Sequence, residues 1–376
     1  MKIAIISLPL SYNYGGYLQC YALMEVLRGI GHEPIFLQRE NGEKPSLKKN
    51  IVNCIKDIFE QIGLSIIVDK FEIITNSGLY YKTRNFRQFT KRYIKSVSPV
   101  LRTTPDVISF CKKKHITAYI TGSDQIWRAA YLRSLNDAFL GFAPQKSIKI
   151  SYAPSFGTDV WEYDSKETLM IRDFLSDFKA ISVRENDGVD MLKNFVSDKL
   201  NPVLVLDPTF LLHKSQYLFI AKEQEKRCGI LTYILNSDEK KIEVINLMCK
   251  ELNISSFSVI NAKTNTREIN GAQGFSVEQW IAGFRDADYV VTDSFHAIVF
   301  SIIFNKSFWV FENENRGNSR IINILKLFGC EDRFIDKNMD MKHFDWKQEI
   351  DWDVVNAIKD NMKETSLKFL TNALSV

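Results

Sequence analysis

Short apolar runs alternate with helical patterns along most of this 376-residue chain, and this alternation constrains its fold more than any other feature. It is typical of parallel β-sheets whose faces are covered by helices. In the first half, strands are predicted at 2–8, 34–38, 118–121, 148–153, 180–183 and 203–206. A less regular stretch, about 40–115, is rich in lysine and aromatic residues and predicts a mostly helical insertion.

A second series of strands and helices begins at Gly229. The predicted strands are 230–235, 256–260, 289–292 and 307–311, and the predicted helices are 239–252, 277–286, one from Ser294, one from Ser319 and a terminal helix at 354–374. The chain length fits two domains. We therefore predict an α/β fold of two Rossmann-like doubly wound domains, residues 1–213 and 214–376, facing a cleft. Ligands of such folds bind beyond the carboxyl ends of the strands.

Composition and cysteine spacing exclude several other classes. With 45% hydrophobic and 25% charged residues, the chain matches ordinary globular proteins and is neither collagen-like nor disordered. Its longest near-continuous apolar run, 295–304, has about half the length needed to cross a bilayer. Lys2 and the apolar residues after it fit a first strand better than a signal peptide, so we expect a cytoplasmic protein. The six cysteines form no CxxC pair, and we expect buried free thiols, no disulfide and no zinc site.

Positive charge is concentrated in residues 82–115, which we call the basic segment. It carries ten Lys or Arg residues and one acid, Asp106, although the net charge of the whole chain is only +4. Such a concentration favours an anionic partner nearby. The alternative is a solvated helix face, because Phe86, Phe89 and Tyr93 are spaced as the buried stripe of the same helix. The sequence leaves both interpretations open.

The first two loops that follow predicted strands carry polar residues suited to ligand binding. The loop after the first strand contains Asn13, Tyr14, Gly15 and Gly16 ahead of a predicted helix. Paired glycines at that place let the backbone approach an anion or a sugar hydroxyl, and a plain connecting turn is the alternative. The loop after 118–121 contains Asp124 and Gln125 beside a tryptophan, which suits a polar substrate. Its alternative is a helix cap.

Arg184 ends the predicted strand 180–183 immediately before a helical segment. A guanidinium in that position can grip a carboxylate or a phosphate with two parallel hydrogen bonds. The alternative is a structural ion pair, in which Glu185 neutralises the arginine.

Asp293, Ser294 and His296 follow the strand 289–292. Ser294 is predicted to cap the next helix and His296 to lie in its first turn, facing the cleft. Histidine is the side chain best matched to proton transfer near neutral pH, whereas a histidine in an apolar run is ordinarily a core residue. Farther along, a helix N-terminus suited to an anion carries Asn318, Ser319 and Arg320.

Together these motifs resemble the polysaccharide pyruvyl transferase family. The resemblance rests on YNYGGYLQ (12–19), GSDQIW (122–127), SVRE (182–185), LDPT (206–209), TDSFH (292–296) and RGNSR (316–320), which occur in the family's order. It implies a fold similar to that of GT-B glycosyltransferases. It also implies an enzyme that uses phosphoenolpyruvate to place a pyruvyl ketal on a sugar of a bacterial cell-surface (exopolysaccharide or capsule) polysaccharide or its lipid-linked precursor.

The resemblance further implies roles for the loop residues. His296 would be the general acid, and Arg184 would bind the carboxylate or phosphate of the donor. Asp124 or Asp293 would accept the proton of the attacking hydroxyl. The other donor-binding candidates are Ser294, Asn318, Ser319 and Arg320, and the acceptor-binding candidates are Asn13, Tyr14, Gly15, Gly16 and Gln125. This chain departs from the family's pattern, which has arginine in place of Ser294 and glycine in place of Ala297.

The expected partners are phosphoenolpyruvate and a sugar or lipid-linked oligosaccharide acceptor, with no nucleic acid, no cofactor and no metal. The basic segment would suit an acceptor carried on a lipid diphosphate and a peripheral contact with the inner face of a membrane. Two alternative functions differ in class. One is a nucleotide-sugar-dependent glycosyltransferase of GT-B fold, although the second domain lacks the pair of glutamates that many such enzymes use to hold the donor. The other is a non-catalytic binding protein.

Overall fold

We analysed a computed structural model, which describes residues 1–11, 13–40, 55, 84–260, 274–313, 317–339, 341 and 344–375. Most of the predicted insertion before residue 84 lies outside the described residues, as does Arg316. Among the described residues, no helix is both long enough and apolar enough to span a membrane.

The first domain is built on a parallel sheet. Its first four strands are β1 (Lys2–Ile6), β2 (Glu33–Phe36), β3 (Ala118–Thr121) and β4 (Ile148–Ser151), in the order β2-β1-β3-β4. A single bridge from Ile150 to Ala180 leads from β4 towards the parallel pair β5 (Ser182–Val183) and β6 (Val203–Leu204). The sheet is thereby extended so that β3, β5 and β6 all end on the side of the cleft.

The helices of the first domain cover this sheet. They are α1 (Tyr14–Gly29), α2 (Arg84–Phe89) with a π-helical continuation (Thr90–Ile94), α3 (Thr104–Lys114), α4 (Leu135–Ala138), α5 (Ser165–Ser176) and α6 (Asn186–Met191) with a π-helical continuation (Leu192–Val196). Helix α1 begins earlier than the sequence predicted, because the Asn13 side chain accepts a hydrogen bond from the Gly15 amide and caps the helix there. Gly15 and Gly16 therefore lie inside its first turn.

The second domain contains a five-stranded parallel sheet in the order β11-β10-β9-β7-β8. Its strands are β7 (Ile230–Tyr233), β8 (Ser256–Ser258), β9 (Tyr289–Thr292), β10 (Ser307–Phe311) and β11 (Phe334–Ile335). Its helices are α7 (Lys214–Ala221), α8 (Glu239–Leu252), α9 (Val277–Asp286), α10 (Phe295–Phe304), α11 (Ser319–Phe328) and α12 (Trp352–Leu374). Every residue of α10 is buried, which explains why this helix is apolar on all sides.

The terminal helix α12 joins the two domains, although the sequence placed it in the second domain alone. The backbone amide of Leu206 in the first domain donates to the Ser366 hydroxyl at 2.9 Å. Phe369 also packs on Tyr152, with ring centroids 6.4 Å apart. The far end of α12 is therefore part of the core of the first domain.

The described part of the basic segment, residues 84–115, is not one continuous helix. Residues 97 and 101 pair with the edge of the first sheet between two separate helices. Phe86 and Phe89 are buried and Tyr93 is half-buried, which confirms the predicted apolar stripe. The exposed basic residues are Lys91, Arg92, Lys95 and Lys112 to Lys114.

Five of the six cysteines are described, and all five are free thiols. Cys20, Cys111 and Cys330 are buried, as predicted. The prediction was wrong for Cys228, which is exposed, and for Cys249, which is half-buried. Cys228 precedes β7, and Cys249 lies in the last turn of α8.

Candidate active site

Charged side chains from both domains converge in the cleft. We call this group the cleft cluster, and it consists of Asp124, Arg184, Asp207, His296 and Arg320, all of them buried. The first three follow β3, β5 and β6 of the first domain, and the last two stand at the N-termini of α10 and α11 of the second. The structure thus brings together four residues that the sequence predicted and one, Asp207, that it did not.

Arg184 lies at the centre of the cleft cluster. Its Nη1 donates to Asp207 Oδ2 at 2.8 Å, and its Nη2 lies 3.5 Å from Asp124 Oδ1. Nε is 3.8 Å from Glu185 Oε2. Nε and Nη2 donate no hydrogen bond to any described residue, although both are buried. Two donors of the guanidinium are therefore available to an anionic ligand.

Asp207 is completely surrounded by donors. Its Oδ2 accepts from the Ser123 hydroxyl at 3.0 Å as well as from Arg184, and its Oδ1 accepts from the amide and hydroxyl of Thr209 at 3.0 and 2.7 Å. Burial alone would raise the pKa of Asp207, but His296, Arg184 and Thr209 outweigh burial and hold it well below its ordinary value. Asp207 is therefore a fixed negative charge.

His296 projects from the first turn of α10 towards the first domain. Its Nε2 lies 3.7 Å from Asp207 Oδ2, which is longer than a hydrogen bond, and it has no hydrogen-bond partner among the described residues. A core histidine with a structural role would ordinarily have its buried nitrogen bonded. The free Nε2 instead suits a group that exchanges a proton with a ligand.

Gly15 supplies the surface against which the imidazole packs. A Cβ atom built on Gly15 would lie 2.1 Å from Nδ1 of His296, so no larger residue fits beneath the ring. The N-terminal loop predicted to bind an acceptor thus positions the histidine of the other domain.

We expect Gly15→Ala to displace His296, with a loss of activity and a lower melting temperature. Overpacking a buried contact costs about 1–3 kcal/mol, more than the helix propensity that alanine adds. Gly16→Ala is the matched control, because the nearest atom to a Cβ there is 3.6 Å away. Differential scanning fluorimetry and turnover of all three proteins check this. Equal melting temperatures and rates for the two variants would contradict it.

Asp124 lies beside Arg184 with a backbone φ of 68°, a left-handed conformation that aspartate tolerates better than most residues. Asn13 Nδ2 donates to Asp124 Oδ2 at 3.4 Å, and the Ser155 amide donates to the Asp124 carbonyl at 2.9 Å. Burial raises the pKa of Asp124, but Arg184, His296 and Arg320 reverse that effect and lower it overall. The carboxylate is therefore charged at neutral pH and can accept a proton from a ligand.

Phe295 lies close to both arginines. The guanidinium of Arg184 stacks on its ring at 4.1 Å, and that of Arg320 lies 5.9 Å from the ring centroid. Burial and the nearby charge of Arg184 lower the pKa of Arg320 to about 10, so it is still a cation at neutral pH. The cavity beside these side chains is about 20 Å³, room for about one water molecule. A ligand larger than water therefore enters only if side chains or domains move.

Asp293 is not part of the cleft cluster. Its Oδ1 accepts from the Leu235 amide at 2.6 Å, and its Oδ2 accepts from the Asn236 amide at 3.0 Å and from Lys241 Nζ at 3.2 Å. These bonds hold the loop after β7. The carboxylate is thus occupied by structural partners on the far side of the strand end.

The other three predicted donor-binding residues stand at the N-termini of α10 and α11. Ser294 occupies the N-cap position of α10, but its side chain makes no capping hydrogen bond. Asn318 Oδ1 accepts from the Asn313 amide at 2.6 Å. The Ser319 hydroxyl donates to Asp187 of the first domain. These contacts fix the cleft walls and leave Arg320 as the charged group that α11 contributes to the cluster.

Tyr14 and Gln125, both predicted to bind the acceptor, differ in whether their polar atoms already have hydrogen-bond partners. Tyr14 stacks on Trp280 of the second domain at 5.7 Å and donates to the Phe275 carbonyl at 2.6 Å, so it belongs to the packed core between the domains. Gln125 is buried next to Gly157, and its Nε2 has no hydrogen-bond partner among the described residues. Gln125 therefore keeps a donor for a ligand, whereas the Tyr14 hydroxyl is engaged.

The sequence analysis assigned no role to Asp207 or Phe295. Asp207 stands at the end of β6 in the LDPT motif, and an acid in that position was the available signal. Phe295 gave no signal, because an apolar residue at the start of an apolar helix looks like core. Within the described residues, no group of three or more His, Cys, Asp or Glu side chains could hold a metal ion.

The fold is GT-B-like, with two Rossmann-like domains that face a charged cleft. Among the solved structures that share this fold are two UDP-GlcNAc 2-epimerases. The enzyme from Methanocaldococcus jannaschii is 10% identical, with a TM-score of 0.50 over 96% of this chain and 93% of that one. The enzyme from Neisseria meningitidis, bound to UDP-GlcNAc, is 9% identical, with a TM-score of 0.50 over 98% of this chain and 100% of that one.

The amino-acid sequence shows to which family the protein belongs. A family model described as polysaccharide pyruvyl transferase matches residues 13–315. Because this match spans most of the chain, the protein belongs to the polysaccharide pyruvyl transferase family. No curated protein matches it.

Proposed function

We propose that the protein transfers a pyruvyl group from phosphoenolpyruvate to a sugar of a cell-surface polysaccharide or its lipid-linked precursor. The products are a pyruvate ketal and inorganic phosphate. One observation carries the proposal: a buried arginine with two unbonded donors and a histidine with an unbonded Nε2 meet in the cleft, one from each domain. Anion binding and proton transfer are the two tasks that this chemistry requires.

Arg184 and Arg320 bind the donor. Phosphoenolpyruvate carries a carboxylate and a phosphate, and Nε and Nη2 of Arg184 match one of these groups. Arg320, which lies near the same Phe295 ring, is suited to the other. Its position on α11 supplies the cation that this chain lacks at Ser294, where the family's pattern has arginine.

His296 delivers the proton. As imidazolium it protonates the methylene carbon of the donor, and the C2 atom becomes electron-poor. One sugar hydroxyl then forms a bond to C2, and a second hydroxyl displaces the phosphate to close the ketal. Of the two hydroxyl protons, the first is accepted by a base and passed on to restore the imidazolium of His296, and the second leaves with the phosphate. Arg184 stabilises the negative charge that accumulates on the departing phosphate.

Asp124 is the stronger candidate for the base that accepts the first hydroxyl proton. It is charged and lies in the cleft cluster, where Asn13 donates to one of its oxygens at 3.4 Å and Arg184 Nη2 lies 3.5 Å from the other. Asp293 was the other predicted base, but its oxygens already accept from two amides and a lysine. The route involves no change of oxidation state and uses no resident cofactor.

The decisive experiment is an incubation of the protein with phosphoenolpyruvate and a panel of lipid-linked and nitrophenyl glycosides. We expect phosphate release that depends on the acceptor, together with a mass gain of one pyruvyl group on it. Turnover of a nucleotide sugar without phosphoenolpyruvate would favour the glycosyltransferase alternative. A thermal shift with phosphoenolpyruvate but no turnover on any acceptor would favour a binding protein.

We further propose that the sugar acceptor is linked to a lipid. Lys91, Arg92 and Lys95 are exposed on the first domain and suit a lipid diphosphate or an anionic membrane surface. Activity on a lipid-linked acceptor is then expected to fall as salt rises, whereas activity on a neutral glycoside stays level. Equal salt curves for the two acceptors would leave these residues as a solvated face.

A further inference from the structure

We infer that Asp207 is a positioning residue of the reaction, which orients Arg184 and keeps a negative charge beside the His296 ring. The inference rests on the proposed function, in which the imidazolium form of His296 is the acid. The side chain of Asp207 has no exposed surface, and both of its oxygens already accept hydrogen bonds from Arg184, Ser123 and Thr209. It therefore acts only through its neighbours.

The geometry gives each carboxylate oxygen a separate task. Oδ1 accepts from both the amide and the hydroxyl of Thr209, which fixes the carboxylate to the turn after β6. Oδ2 accepts from Arg184 Nη1 and Ser123 and lies 3.7 Å from His296 Nε2. One oxygen thus anchors the residue, and the other faces both functional groups of the cleft.

The negative charge of Asp207 acts on His296, the proposed acid. A carboxylate within about 4–6 Å of an imidazole favours its protonated form. Asp124 also attracts a protonated His296 ring, which is one of the charges that lower the pKa of Asp124. Tyr217, which donates to the Thr209 carbonyl at 2.8 Å, is a further titratable group next to Asp207. Without Asp207, Asp124 would be the remaining carboxylate of the cleft cluster.

The test compares Asp207→Asn with Asp137→Asn. Asp137 is an equally buried carboxylate that Arg39 Nε contacts at 2.8 Å in the same domain, so its variant is matched for the loss of a buried ion pair. The measurement is ¹⁵N NMR of the histidine rings in the substrate-free protein, with the His296 signal assigned from a His296→Gln variant. The same proteins are assayed for turnover of phosphoenolpyruvate across pH.

In Asp207→Asn, we expect the His296 ring to lose its proton about one to three pH units lower than in the wild type. The alkaline limb of the activity profile is expected to move in the same direction, with a raised KM for phosphoenolpyruvate because Arg184 loses its partner. In Asp137→Asn, the titration and the alkaline limb should stay unchanged. An unshifted titration in Asp207→Asn, or an equal shift in both variants, would overturn the inference.

Ser123→Ala keeps the test decisive if Asp207→Asn does not fold. This variant removes one donor from Oδ2, so the carboxylate attracts the imidazolium more strongly and the titration should move to higher pH. If Asp207 had only a structural role, Ser123→Ala would not move the His296 titration to higher pH. A titration that does not move to higher pH would therefore count against the inference. If no protein turns over phosphoenolpyruvate but the NMR shifts occur, the proposed function fails while the charge coupling of Asp207 to His296 stands.

Discussion

Replacing His296 with alanine is expected to reduce turnover by roughly 10²–10⁴-fold, the usual contribution of a positioned general acid. The fold should survive, because the imidazole makes no hydrogen bond through Nε2 and its removal only opens space above Gly15. Steady-state kinetics with phosphoenolpyruvate measure the first effect, and circular dichroism with thermal melting measures the second. The KM for the donor should change little, since Arg184 remains in place.

His115→Asn is the matched control for this experiment. His115 is exposed at the C-cap of α3 with a φ of 55°, a conformation that asparagine also adopts. This variant should keep full activity. A His296→Ala protein that retains most of its turnover, or that does not fold, would show that His296 is an ordinary core histidine.

The sequence predicted the regular elements of the second domain closely. The bounds of β9, β10, α8 and α9 agree with the prediction, because dense apolar runs begin at clear capping residues such as Asp238 and Ser276. Strands β5 and β6 are only two residues long, shorter than predicted. Their apolar sequence continues into loops whose backbone turns towards the cleft, and local pattern does not reveal that turn.

The candidate site could be predicted only in part, since its geometry depends on which loops meet. Asp124 and Asp293 look alike in sequence, because each is an acid just after a buried strand. Asp124 lies in the cleft cluster, whereas Asp293 is bound by the amides of the neighbouring loop after β7. That difference arises from strand order in the second sheet. The packing of Gly15 against His296 joins residues nearly 300 positions apart, which local pattern cannot show.

Arg184→Ala is expected to weaken donor binding and, in addition, to destabilise the protein. The sequence indicated a ligand of the donor, with an ion pair to Glu185 as the alternative. In the structure, however, Arg184 contacts Asp207, Asp124 and Glu185, and removing one partner from a buried ion pair costs about 3–5 kcal/mol. The apparent KM for phosphoenolpyruvate should rise at least tenfold in protein that still folds, because a charge-assisted hydrogen bond contributes about 1.5–3 kcal/mol.

The stability loss should depend on pH in a defined direction. Burial already raises the pKa of Glu185, and Arg184 is the main group that opposes this effect. Arg184 also helps to lower the pKa values of Asp124 and Asp207, so all three carboxyl groups take up protons more readily in the variant. A buried carboxylate that has lost its cation destabilises the fold while it is charged. The deficit in unfolding free energy should therefore be smaller near about pH 5 than near about pH 7.

Arg39→Ala separates the two effects of Arg184→Ala. Arg39 is a buried partner of Asp137, so its removal also leaves a buried carboxylate without its cation, but away from the cleft cluster. Urea unfolding should show a comparable loss of stability in both variants, whereas only Arg184→Ala should change the KM for phosphoenolpyruvate. An unchanged KM in Arg184→Ala would mean that the guanidinium serves only its three carboxylate neighbours. The anion site would then have to be built around Arg320 alone.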